Sequence, residues 1–241
     1  MDEVSADDGA TWRRRLARTA SARTFGPTPS GDGLTESWLG RVTAGLEGEP
    51  WPVWRGAPLS TLLQVNLARL PARPSVPDGL AMITVFVSEG YDDEGHPSSG
   101  EPGRGEAPWC VRAYPSLDGL EALEPPEAAL RGRHRPVRWE LVEADYPTHD
   151  LLPPDLPDAL REGWHEPGWA ATRPGTKVGG WPSLVQPEPW WDYRGEGREF
   201  EFAFQIDSED EIGWMWGDMG TAYFARSRER PHAWAFDWQC Y

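Results

Sequence analysis

The chain has 241 residues, 23 of them basic and 39 acidic, for a formal net charge of −16. Only 42 residues are Leu, Ile, Val or Phe. With this much charge such a share suits a disordered chain, but the 15 Trp argue otherwise, since each buried indole removes roughly 150–250 Å² from water. The acid excess argues against nucleic acid as a ligand, because phosphate contacts need a basic face, and no apolar run approaches the ~18 residues of a membrane helix.

The N-terminus lacks the apolar stretch of a secretory signal. Cys110 and Cys240 have no metal or redox spacing, so two free thiols in a reducing cytoplasm are expected. Of the basic residues, 22 are Arg and one, Lys177, is Lys.

Residues 1–35 read as an appended segment with a short helix, on which Trp12 and Leu16 form one i,i+4 pair. Five Arg between 12 and 23 face no acid there. They suit either an anionic-partner arm or a helix packed on the acidic body. Leu63, Val65 and Leu67 alternate on one face of a strand. Leu80 to Val87 is a nearly continuous apolar run, which predicts a strand covered on both faces. Residues 89–108 are Gly, Pro, Ser and acid, a long loop, and Trp109 to Ala113 is another strand. Pro126 starts a short helix over 127–132. Val137 to Val142 is a strand, Asp155 to Arg161 a short helix stopped by Gly163, and 163–176 an ordered loop. Phe200, Phe202, Phe204 and Ile206 share one strand face, and Trp234, Phe236, Trp238 and Cys240 another.

Shifting the chain on itself by 141 positions lays Leu63-Gln64-Val65-Asn66 on Phe204-Gln205-Ile206-Asp207, and Gly79 on Gly220. Face parity is kept, whereas a one-residue slip would exchange the faces. This predicts a duplicated strand unit. The pairs Gln64/Asn66 and Gln205/Asp207 would then be equivalent, either lining a cleft between halves or bonding to backbone at strand–loop corners.

The segment Lys177 to Gln186 (KVGGWPSLVQ), with Phe204 to Ser208, Trp216 to Gly220 and Phe236 to Cys240, resembles the YwqG-like family, bacterial proteins carrying a domain of unknown function. The resemblance is strong over 177–241. It is looser over 38–160, carried there by Trp51-Pro52, Leu63 to Asn66, Gly79-Leu80 and Asp145-Tyr146-Pro147. The sequence departs from the family at Leu39-Gly40-Arg41, where Gly-Gly-x-Pro is usual. The resemblance implies one α+β domain with a duplicated β unit, and no activity comes with it.

Chemistry-bearing motifs are scarce. The chain has no phosphate loop, no Gly-x-Ser-x-Gly and no His-Glu-x-x-His. The run from Asp207 to Glu211 lacks the Gly and bidentate Glu positions of a calcium loop, and it reads as a charged turn between strands. In Trp214-Met215-Trp216-Gly217-Asp218 the two indoles fall on one side. Asp218 suits either an Asx turn or one carboxylate of an aromatic-walled pocket for a cationic ligand.

The resulting expectation is a β-rich α+β single domain with an internally duplicated antiparallel strand unit and a few short helices. Residues 1–35 are appended, 36–241 form the family domain, and the repeat halves span about 38–115 and 177–241. The expected function is a non-enzymatic cytoplasmic interaction module of immunity (toxin-neutralising) type, meeting a basic protein or peptide through an acidic surface and aromatic cleft. Candidate binding residues are Gln64, Asn66, Trp181, Gln186, Gln205, Asp207, Trp216 and Asp218, with no catalytic residue, metal or cofactor. An enzyme or small-ligand binder with a polar site between the repeats, and a purely structural domain, remain the alternatives.

Overall fold

Alternating apolar side chains and short Gly/Pro turns make antiparallel strands the dominant local structure. The computed structural model describes residues 6–24, 33–73, 77–91, 107–129, 133–164, 166, 170–187, 189 and 199–241. Helix α1 (Ala6–Leu16) leads into β1 (Arg18–Thr24). The short strands β2 (Trp38–Leu39), β3 (Ala44–Leu46), β4 (Val53–Trp54) and β5 (Ala57–Pro58) precede β6 (Ser60–Asn66). Then come β7 (Met82–Val87), β8 (Trp109–Tyr114), β9 (Leu120–Ala122), β10 (Arg135–Pro136) and β11 (Arg138–Asp145). Helix α2 (Asp158–Glu162), β12 (Lys177–Gly179), β13 (Phe200–Asp207), β14 (Thr221–Ser227) and β15 (Trp234–Gln239) complete the chain.

The strands form a six-stranded sheet of order β11-β1-β12-β13-β14-β15 and a five-stranded sheet of order β10-β2-β6-β7-β8, with two small ribbons, β3-β9 and β4-β5. The main core lies between the two sheets. Leu63, Val65, Ile83, Val85 and Val111 of one meet Phe204, Ile206, Phe224 and Phe236 of the other, as in packed β layers. Trp109 reaches across, its ring centroid 5.5 Å from that of Phe236 and 6.4 Å from that of Phe224.

Outer faces are covered too. All of β7 is buried, as its unbroken apolar run predicts. Phe86 turns away from the main core to pack with Val42, Leu59 and Cys110. The α1 helix joins a second cluster, Leu16 with Leu152, Leu156, Leu160 and Trp164, against which Trp12 and Trp181 pack. Arg15 lies 3.3 Å from Asp155, which fits a helix docked on the acidic body.

The N-terminal segment is nevertheless no appendage over 18–24. Strand β1 pairs with β11 on one side and β12 on the other. Ala20, Ser21 and Ala22 are buried, and the Ser21 hydroxyl donates to Ala72 O at 3.0 Å. The strand is invisible to apolar periodicity because its inward side chains are Ala and Ser, too small to stand out between Arg residues. The 127–132 helix is a single 3-10 turn, Glu127–Ala129, with 130–132 outside the described residues. The predicted 89–108 loop falls mostly on 92–106, also outside them.

The two sheets share local geometry. Gln64 sits opposite Trp38, and Gln205 opposite Lys177. The register of β6 on β7 slips between Thr61 and Leu63, and that of β13 on β14 between Phe202 and Phe204. These are the same positions under the 141-residue shift. The backbone amide of Asn66 donates to Ser37 Oγ and that of Asp207 to Thr176 Oγ1, each at 3.0 Å.

Candidate functional site

Both glutamines are strand–loop clamps. Gln64 has no exposed surface. Its Oε1 accepts from the amides of Thr43 (2.9 Å) and Ala44 (3.2 Å), while Nε2 donates to Leu34 O, Glu36 O and Thr43 Oγ1 at 2.7–3.0 Å. Gln205 is equally buried, accepts from Ser183 N at 2.9 Å and donates to Gly175 O at 2.8 Å. Each ties the segment before a short strand to the turn after it, because a buried amide must satisfy both ends. The two do not line a common cleft, so the corner alternative is the one found.

Asn66 is buried, donates through Nδ2 to Thr35 O (2.8 Å) and accepts from Ala68 N (3.1 Å). Asp207 accepts from Ser208 N (3.0 Å) and Thr221 Oγ1 (2.8 Å), and burial raises its pKa. Trp216 is fully buried among Trp214, Tyr91 and Phe236, with centroids 4.8–5.7 Å away. It is core, and the aromatic-cleft expectation fails for it. Trp181 is half-buried. Its amide donates to Asp145 Oδ2 at 2.7 Å, its indole N–H to Leu16 O at 2.7 Å, and the Arg18 guanidinium lies 3.6 Å above its ring. Exposed Gln186 donates to Cys240 O at 2.6 Å. Asp218 is exposed, and its backbone carbonyl accepts from Tyr241 N at 3.2 Å. The amide of Gly220 goes to Trp216 O at 2.8 Å, so the Asx turn expected at Asp218 is replaced by a backbone turn. The eight residues therefore occupy separate places: two corners, the aromatic core, the α1 dock and the C-terminal edge.

Two buried charge groups were not found by sequence reasoning. Lys177 and Asp145 have side chains with no exposure and lie 2.8 Å apart. The ammonium also donates to Arg173 O at 2.6 Å, and Asp145 accepts from the amides of Arg173 (2.6 Å) and Trp181 (2.7 Å). Burial lowers Lys177 to about 8, against the opposing pull of Asp145. The turn closes so tightly on Asp145 that Gly180, at φ +74°, has no room for a β-carbon beside Oδ2. Another turn glycine, Gly40, at φ +71°, would place one 2.5 Å from Arg133 O. Glu209 accepts from Thr176 Oγ1 at 2.6 Å and pairs with Arg23 at 2.9 Å. Burial pushes its pKa up to about 7. The available signal was compositional: one Lys in a chain of Arg, beside the Asp145-Tyr146-Pro147 motif.

Two clefts remain. One, of about 470 Å³, opens beside the Gly40 turn between Leu34, Arg41, Thr43, Leu123 and His134. The other, of about 390 Å³, lies where the sheets meet at β8, between Leu46, Val111, Ala113, Asp118, His232 and Trp234. At its base Glu49 accepts from the Tyr114 hydroxyl at 2.8 Å and from Arg112 Nε at 3.2 Å. Burial and this bond push the Tyr114 phenol up. None of the eight candidates lines either cleft. Among the described residues no trio of His, Cys, Asp or Glu is placed to hold a metal ion, and no helix is long and apolar enough to cross a membrane.

No curated protein matches the chain. A family described as "Domain of unknown function (DUF1963)" matches residues 44–241, a span that takes in every strand from β3 to β15, Gln64, Gln205 and the lining of the cleft at β8, and leaves β1, β2 and the Leu34, Glu36 and Thr43 partners of Gln64 outside. With most of its length matched, the chain belongs to the DUF1963 family.

Proposed function

We propose that the protein is a non-enzymatic interaction module that meets a basic protein or peptide on the face built by β3, β9 and their flanking turns. One observation carries the reading. Between residues 113 and 130 the chain has Asp118, Glu121, Glu124 and Glu127 and no Lys or Arg. All four are exposed, and among the described residues no ion pair involves them. Seven carboxylates elsewhere, Glu36, Glu49, Glu140, Asp145, Glu199, Glu201 and Glu209, each face Arg or Lys. A segment of unpaired acid repels itself and steers a cationic partner. Toxin neutralisation in the cytoplasm is one concrete form of this role, and two free cysteines suit a reducing compartment.

The reading takes the sheets as copies of one strand unit and keeps the YwqG-like affiliation. Support comes from the matched glutamine clamps and register slips, and from Gly40 and Gly179, which hold equivalent places opposite the glutamine strands at φ +71° and +76°. A small-ligand reading finds its best support in the 470 Å³ cleft, which Gln64, Gln205 and Asp218 do not line.

The test is native co-purification of wild type and a Glu121→Lys/Glu124→Lys variant with endogenous partners. The wild type should retain a partner that is lost from the variant and in roughly 1 M salt, where the screening length falls to about 3 Å. A partner-free monomer, or equal retention by both proteins, would overturn the reading.

A further inference from the structure

The five-stranded sheet ends at β8, with no strand beyond it among the described residues. Its register on β7 runs from Val87↔Trp109 to Met82↔Tyr114 without a slip. Ser88 N donates to Pro108 O at 2.6 Å and Ala81 N to Tyr114 O at 2.7 Å, which sets the phase of the ladder. Even-numbered residues of β8 turn their amides and carbonyls to β7, so Val111 and Ala113 turn theirs outward. Both residues line the 390 Å³ cleft. An edge of this kind is normally blunted, and the other outer strands are: β10 carries Pro136, β11 slips against β1 between Arg18 and Ala20, and Gln186 caps the end of β15. The β8 edge is straight, free of proline and opens on a space.

We propose that this edge is a docking strand for an extended segment of a partner protein, which adds itself as a sixth strand to the five-stranded sheet. Backbone pairing to Val111 and Ala113 supplies the register, as in strand addition generally. Side chains of an added strand alternate. One set meets Trp234 of the six-stranded sheet, and the other meets Leu46 of the β3-β9 ribbon and runs past exposed Asp118. The occupant is therefore a segment alternating apolar with basic residues. This rests on the basic-partner reading above and names the surface and the mode.

The probe is a capped peptide alternating Lys and Val, with a second version N-methylated at alternate residues to remove its strand-pairing amides. Amide hydrogen exchange and NMR shifts are read on the intact protein. The expected result is protection of the Val111 and Ala113 amides by at least about tenfold with the first peptide and none with the second. Ala113→Pro removes an outward N–H, a change tolerated at an edge, and should abolish binding; Asp118→Lys should weaken it. Protection of these amides in the free protein together with a dimer in sedimentation would mean that a second copy fills the edge, and would overturn the proposal. Binding without protection at Val111 and Ala113 would overturn it while leaving the acidic-face reading intact, and so would absence of peptide binding where the co-purified partner is retained. If neither peptide nor partner binds, both readings fall.

Discussion

Trp216 makes its contribution by filling space: no surface is exposed, and its ring meets Trp214, Tyr91 and Phe236. Trp216→Ala should cost roughly 3–5 kcal/mol, read as a shift of the urea midpoint at constant slope. Glu209 gives a pH dependence. Its folded pKa, about 7, exceeds the ordinary 4.5 because burial outweighs the Arg23 pairing. The folded state thus binds the proton more tightly than the unfolded one. The stabilisation is full below pH 4.5 and is lost as pH rises to about 7. Relative to Glu209→Gln, the wild type should lose about 3 kcal/mol across that window, following the ~1.4 kcal/mol per pKa unit of linkage, measured by denaturation at pH 5 and pH 8. At this scale the sequence was partly legible. The corner role of Gln64 and Gln205 follows from an amide on a half-apolar strand. Trp216 could not be placed, since Trp-Gly-Asp suits a turn and a core equally. The Lys177–Asp145 pair was hidden because its members stand 32 residues apart and meet only through the β11–β1–β12 pairing.

Among the elements, β1 carries the most consequence for its size. It separates β11 from β12, so removing it leaves β11 without a partner and β12 paired to β13 alone. A chain beginning at residue 18 should keep a cooperative unfolding transition, lowered by the lost contacts of Leu16. One beginning at residue 44, the start of the family match, should lack a cooperative transition by tryptophan fluorescence. An equally cooperative melt for both would show that β1 is dispensable. Strands β13 and β15 were legible because Phe and Trp alternate with polar residues, and β7 because nothing polar but Thr84 interrupts it. Strand β1 was not, because alanine and serine carry no period. The two-residue strands β2, β4, β5 and β10 are too short to show one.

At the scale of the whole molecule, the alternating pattern anticipated a β-rich fold with a few short helices, and the architecture is β-rich, with two antiparallel sheets around an aromatic core. What the pattern could not convey is how the outer faces are closed, since α1, the 146–164 segment and the β3-β9 ribbon do so through contacts distant in sequence. The site was less legible than the fold. Motif residues such as Gln205 and Trp216 mark corners and core, whereas the open features lie at the backbone edge of β8 and at Asp118 and Glu121, residues whose types carry no signature.

The buried ammonium of Lys177 has one more consequence. It is the chain's sole lysine and has no exposed surface, so the folded protein offers no side-chain amine to acylating reagents, ligases or lysine-directed proteases. Any covalent mark that settles on that nitrogen records a moment when the Asp145 turn had opened, and the molecule carries its own clock for local unfolding.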